Sequence, residues 1–317
     1  MTSTDCEMKY SFLKIAALNA LLMLAPAVLA QTIEPALTRE KPLWSKGVQS
    51  LGYKSWSMYA ELSWVGEQHA KILFPDEDHV ALAWLRPDPT GESSAGAIPL
   101  PETPSLLHLI LLDSKTGKLI GTHEWHLKSH ATDIVSMASG QWVVKDGNVA
   151  ALYSADYEKL GDITAELWDA LAPRAANIHG TCLGGDTKVI LDSNKLAAVN
   201  ADGRVVLLQI LPKSHTFGKA IAISRDLNTL ALVIQRWRGV DNPDIGLNRF
   251  SSDDRVSVYS ICNHGPLFSV RVRGRSPWHS GDTFWHTIAL SPQGQLLAVA
   301  SNEDIQVYQV PNRAGPK

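Results

Sequence analysis

The chain has 317 residues, 45% of them hydrophobic and 19% charged, with mean hydropathy −0.06. That composition excludes a disordered chain, and only one segment approaches bilayer length, which excludes a multi-span membrane protein. Twenty-nine Lys and Arg against 32 Asp and Glu give a net charge of −3. A nucleic-acid partner is not expected, because neutralising phosphates needs a cationic surplus.

Residues 9–30 read KYSFLKIAALNALLMLAPAVLA. Lys9 and Lys14 form a basic start, Ile15 to Leu24 an apolar run, and Val28-Leu29-Ala30 a small-residue exit before Gln31. This is the pattern of a cleaved secretory leader over residues 1–30, so export to a periplasmic or extracellular space is expected. The apolar run is short of the roughly 20 residues a spanning helix needs, so no stable membrane span is expected once the leader is removed. Two of the three cysteines, Cys182 and Cys262, remain in residues 31–317. Export permits a disulfide between them, closing about 80 residues for roughly 4 kcal/mol. Two separate buried thiols fit the spacing equally well.

From residue 67 onward, apolar runs of strand length alternate with turn residues. His79 to Leu85 follows the turn Pro75-Asp76-Glu77-Asp78. Leu106 to Leu112 and Leu119 to Trp125 flank Asp113 to Lys118, where Gly117 supplies the positive φ of a hairpin turn. Further hairpins are expected over 141–154, 196–210, 221–235 and 287–310. One helical window stands out. Within Asp162 to Leu171, Ile163, Leu167 and Leu171 recur at i, i+4, i+8, and Pro173 ends it. The expected class is all-β, with at most one or two short helices.

The strands repeat as units. Ile288 to Ala300, IALSPQGQLLAVA, matches Ile221 to Val233, IAISRDLNTLALV. Both read apolar, small, apolar, Ser, a polar turn, then an apolar strand. Looser copies run from Lys71 to Ala83 and from Thr187 to Val199, and Ile134 to Leu152 is a fifth. A repeated four-stranded unit of about 40–50 residues predicts a β-propeller of five to seven blades over 67–311. Residues 31–66 form an N-terminal segment whose stretch around Trp56 to Trp64 could pair with the last blade, and 312–317 a tail.

The stretch Ser291 to Ala300, followed by Ile305-Gln-Val-Tyr308, resembles the S-P-D-G-x-x-L-A signature of WD-repeat and bacterial YVTN-type propellers, with Gln293 in the place of the Asp. The resemblance implies the propeller fold and leaves the activity open.

Two segments read as exposed insertions: PDPTGESSAGAIPLPETP at 87–104, and RWRGVDNPDIGLNRFSSDD at 236–254. Aromatic residues gather in and beside such connections. Trp237 and Arg238 open the second insertion, and Trp278, His279, Trp285 and His286 lie together in SPWHSGDTFWH. Loops at one end of a propeller carry its function, so these six are the candidate ligand contacts for a protein, peptide or other envelope ligand. The alternative is Trp packed between blades.

Other candidates are weaker. His123-Glu-Trp-His126 is one residue short of a zinc-helix motif, and on a strand His123 and His126 point to opposite faces. Asp76, Glu77 and Asp78 lack the spaced ligands and Gly of a calcium loop. Gly184-Gly185-Asp186 precedes a strand, whereas a phosphate cradle opens a helix. No nucleophile motif is present, and no metal or cofactor is expected. The reading is an exported non-enzymatic binding scaffold; the alternative is a propeller lyase, glycosidase or lactonase-type hydrolase with its site at the central channel.

Overall fold

The computed structural model describes residues 41–52, 70–87, 104–129, 132–171, 178–182, 185–192, 194–212, 215–238, 250–251, 254–261, 265–272, 287–301 and 304–311. Among these residues the framework is five antiparallel sheets, four of them four-stranded and one carrying a fifth short strand off its path. The first strand in the chain, β1 (Trp44–Gly47), belongs to the last sheet. Blade 1 is β2 (Ala70–Leu73), β3 (His79–Pro87), β4 (Ser105–Asp113) and β5 (Leu119–Leu127). Blade 2 is β6 (Thr132–Ser136), β7 (Trp142–Asp146), β8 (Val149–Tyr153) and β9 (Lys159–Ile163). Blade 3 is β10 (Ile178–Cys182), β11 (Gly185–Asp192), β12 (Lys195–Val199) and β13 (Val205–Ile210). Blade 4 is β14 (His215–Ile223), β15 (Thr229–Arg238), β17 (Asp254–Ser260) and β18 (Gly265–Val272), with the short β16 (Phe250–Ser251) on the end of β15. Blade 5 is β19 (Thr287–Leu290), β20 (Leu296–Ala300), β21 (Asp304–Gln309) and β1. The chain is a β-propeller repeat protein.

The blades explain the composition of their strands. A sheet stacked between two others buries both faces, so its strands read as continuous apolar runs. In β15, Leu230 and Leu232 face blade 3 and pack with Val189, Leu196, Tyr259 and Ile261. Ala231 and Val233, on the other face, pack with Ile288, Leu297, Val299 and Tyr308 of blade 5. Blade 5 in turn meets blade 1 through Ala298, Ala300, Ile305 and Val307 against Ile72, Val80, Leu82 and Trp84. Blade 1 meets blade 2 through Leu109, Trp125 and Leu127 against Ile134, Trp142 and Val144.

The strand that completes blade 5 is Trp44–Gly47, in register from Trp44 opposite Val307 to Gly47 opposite Asp304. The stretch around Trp56 to Trp64 lies outside the described residues. Beyond its ladder, β1 also grips blade 1: the Trp44 indole Nε1 donates to Ser114 O at 2.8 Å and Lys46 Nζ to Gly117 O at 3.2 Å. Gly117 (φ +68) is required twice, since a Cβ there would lie 2.7 Å from the Trp44 ring.

The helix differs from its expected form. It is α1 (Ala165–Leu171), because Asp162 and Ile163 are taken by the outer strand of blade 2. Trp168 and Leu171 pack on Val143, Ala150 and Leu152, while Leu167 is exposed, so the buried stripe is not the i, i+4, i+8 set. A second difference concerns the repeats. Three copies fall on the first two strands of their blades and Ile134 to Leu152 covers the first three, but Thr187 to Val199 falls on the second and third strands, β11 and β12. Any hairpin buried on both faces has the same pattern, so the pattern cannot fix its place in the sheet.

Candidate binding face

The repeated turns lie together at one end of the propeller, here the turn end. Their signature has a local cause. Ser291 Oγ accepts from the backbone N–H of Gln295 and of Leu296, both at 3.1 Å. Ser224 Oγ accepts from the N–H of Thr229 at 2.9 Å in the same way. Both serines are fully buried, each capping its own turn. The fourth turn position is left-handed in both copies: Gly294 at φ +69, and Leu227 at φ +59 where the family signature has Gly.

These turns are tied to one another. Asp226 N–H donates to Pro292 O at 3.1 Å, and Gln293 N–H donates to the Glu77 carboxylate. Arg225 reaches from blade 4 to Pro75 O (3.0 Å), Phe74 O (3.4 Å), Ser136 O (3.1 Å) and Ser136 Oγ (3.3 Å). One guanidinium thus links blades 1, 2 and 4, a task that suits its fixed fork of donors. Desolvation lowers the Arg225 pKa from its ordinary value, opposed by the nearby Asp76 and Glu77. The acidic turn is absorbed here. Asp76 accepts from the Asp78 N–H and pairs with His79 Nδ1, both at 2.8 Å, and Asp78 pairs with Lys115 at 2.8 Å. Lys115 pulls the exposed Asp78 carboxyl below its ordinary range.

The other end, the loop end, carries the long connections. Residues 88–103 leave from Pro87 and return at Ser105, residues 239–249 leave from Arg238, and residues 273–286 run from Val272 to Thr287. Antiparallel pairing places these strand ends opposite the turns: Pro87 lies beside Ser105, Arg236 beside His215, and Asp254 beside Val272. Trp237 and Arg238 are the last residues of β15, paired with Ser251 and Phe250 of β16. Trp278, His279, Trp285 and His286 lie outside the described residues, on the connection from β18 to β19. The topology therefore puts the C-terminal ends of β15 and β18, from which the two candidate segments depart, at the same end of the molecule.

The histidine cluster is divided by its strand. His123 and Trp125 face blade 2, where His123 stacks on Tyr157 at 4.2 Å and 7° and meets Trp125 edge-on at 4.5 Å. Tyr157 sits at the left-handed fourth position of the turn from Ser154, with φ 66 and its N–H donating to Ser154 O at 3.0 Å. Burial pushes His123 below its ordinary 6.5, against the pull of Glu124. Glu124 faces blade 5, where His108 Nδ1 bonds its Oε1 at 2.7 Å and the His108 ring lies 4.4 Å from Trp84. Among the described residues no group of three His, Cys, Asp or Glu is placed to hold a metal. Cys182 ends β10 opposite Gly185, and Cys262 lies outside the described residues. No helix among the described residues is long and apolar enough to cross a membrane.

Sequence reasoning missed two features near the loop end. One is His108, whose signal was a lone polar residue inside the apolar run Leu106 to Leu112. The other is Lys71 Nζ at 2.5 Å from Asp133 Oδ1, a pair joining the first strands of blades 1 and 2. Nothing local signals it, since the partners are 62 positions apart.

No protein-family model matches the chain, and no curated protein matches it. Among solved structures it is similar to the Neurospora crassa Pan2 WD40 domain, at 10% identity and TM-score 0.34, over 87% of this chain and 96% of that one. It is also similar to the C-terminal WD40 domain of Sif2, at 8% identity and TM-score 0.30, over 78% and 97%. A chain of a mitotic checkpoint complex aligns at 12% identity and TM-score 0.31, over 91% and 100%. The propeller assignment stands on the strand order and blade packing of this chain itself.

Proposed function

We propose that the protein is an exported β-propeller that holds a protein, peptide or other envelope ligand at its loop end and carries out no chemistry of its own. The observation that carries this reading is the segregation of the two ends. The turn end uses its polar groups on itself, through Arg225, Glu77, Asp226 and the capped serines. The connections bearing Trp237, Arg238, Trp278, His279, Trp285 and His286 all leave from the opposite end. Trp side chains on such loops supply much contact area for little lost entropy, and Trp and Arg are the residues that dominate binding hot spots.

The test is site-specific photo-crosslinking in the producing cell. A photoreactive residue at 237, 278 or 285 is expected to capture one recurrent macromolecular species, and the same residue at 226 or 293 to capture none. Equal capture at both ends, or none at either, overturns the reading. Export is checked on the same cells: an exported fraction beginning at Gln31 is expected, and a full-length cytoplasmic pool alone would refute it.

A further inference from the structure

Among the described residues, apolar clusters join blade 3 to 4, 4 to 5, 5 to 1 and 1 to 2. The cluster on the remaining face of blade 2 is made with α1 instead: Val143, Ala150, Leu152 and Ile163 pack on Trp168 and Leu171. We infer that the ring opens between blades 2 and 3, and that Arg225 is the latch that holds it shut.

The seam is the first argument. The helix α1 takes up the face of blade 2 that is turned away from blade 1, and it is held there by its own contacts. Lys145 Nζ lies 5.6 Å from the centre of the Trp168 ring, and Thr164 Oγ1 accepts from the Leu167 N–H at 3.3 Å. On blade 3, Ile190, Ala197 and Leu208 lie side by side across β11, β12 and β13, on the face turned away from blade 4. Ile190 and Leu208 are half-buried, whereas Val189 and Leu196, which face blade 4, are buried. Less apolar surface leaves water at this seam than at the others, so it separates at the lowest cost.

The reach of Arg225 is the second argument. Blade 4 is a neighbour of neither blade 1 nor blade 2, so its bonds to them run across the mouth of the ring. Nη1 donates to Pro75 O at 3.0 Å, and Nη2 donates to Ser136 O at 3.1 Å. Ser136 Oγ also donates to Phe74 O at 3.3 Å, so Arg225 grips the point where blades 1 and 2 meet. Spreading blade 2 from blades 3 and 4 carries Ser136 away from Arg225 and breaks these bonds. A guanidinium fork holds its acceptors in one fixed geometry, and hydrogen bonds weaken steeply out of line. The contact is therefore made or lost as a unit, which is the behaviour of a latch.

The test is hydrogen exchange of the full purified chain, read segment by segment by mass spectrometry. Arg225→Ala should speed exchange roughly 5- to 30-fold in Trp142–Tyr153 and Thr187–Val199, the strands flanking the seam. Exchange in His79–Pro87 and Leu296–Gln309, at seams with shared apolar clusters, should stay as in the wild type. Millimolar methylguanidinium should enter the vacated cradle of three carbonyls and one hydroxyl. It should restore slow exchange in the variant and leave the wild type unchanged. Arg225→Lys, which keeps the charge without the fork, should quicken the same two segments by a smaller factor. Faster exchange in all five blades alike is what a merely structural arginine would give, and it overturns the latch. Unchanged exchange at the seam in both variants overturns it too, as does a rise in Arg225→Ala that methylguanidinium fails to reverse.

Discussion

The two ends of this propeller are built on opposite principles. At the turn end short connections return the chain at once, and side chains satisfy the backbone that the turns expose. Ser224, Ser291, Asp226 and Glu77 each bond a named N–H, and one arginine gathers carbonyls from two other blades. At the loop end the connections 88–103, 239–249 and 273–286 depart beside tight turns such as Gly147-Asn148, and the described groups between blades 1 and 2 leave an open cleft. The contrast teaches where stability and recognition are separated: substitutions at the turn end should be felt by the fold, and substitutions at the loop end by the ligand.

The largest effect should come from Gly294→Ala. Its Cβ would fall 2.3 Å from Thr229 Oγ1 and 2.7 Å from Thr229 Cβ, at a φ of +69. A loss of about 3 kcal/mol in denaturant unfolding is expected from clash and backbone strain together. Arg225→Ala should cost about 1–2 kcal/mol, because Arg225 is exposed overall and its charge-assisted bonds are partly solvated. Arg225→Lys should recover only part of that loss, since a point charge cannot serve Pro75, Phe74 and Ser136 together. Leu227→Gly should move stability the other way, by about 0.5–1 kcal/mol, by relieving a left-handed leucine. An unchanged unfolding midpoint in all four variants would remove the distinction between the ends.

The blade 1–blade 2 interface should add a pH signature. The His123 pKa is lowered by burial from its ordinary 6.5. The unfolded chain therefore takes up the proton first, and the stability held above pH 6.5 is lost as pH falls toward the folded value. Melting temperature should drop between pH 7 and 5, and His123→Phe should flatten that slope while keeping the stack on Tyr157. The smallest effect belongs to the loop end. Replacing residues 239–249 by a short Gly-Ser linker should shift stability by less than about 0.6 kcal/mol, the scale of a twofold change in loop length. A loss as large as that of Gly294→Ala would sharpen the comparison by showing that this connection also supports the fold.

Much of the architecture was legible because it is local. The capped turn Ser-x-x-Gly, the alternation within Thr229 to Gln235 and the Gly117 hairpin all write themselves over ten residues. The candidate face was legible in kind, as aromatic-bearing connections, but its coherence was not. That Trp237 and the 273–286 connection leave from one end follows only from the pairing of β14 with β15 and of β17 with β18. The helix window misled because β9 claimed Asp162 and Ile163, sheet pairing overriding helical spacing.

By itself the sequence determined the repeating unit, its turns and the apolar two-sided character of its strands, since each depends on neighbours within one hairpin. Tertiary structure alone decided that Trp44–Gly47 completes blade 5, that Thr187 to Val199 sits one strand further along its sheet, that Arg225 reaches two other blades, and that Lys71 meets Asp133. The contacts of Trp44–Gly47, Arg225 and Lys71 join residues 62 to 263 positions apart. Period and propensity carry no information about which distant surfaces meet, and only the stacking of the blades selects them.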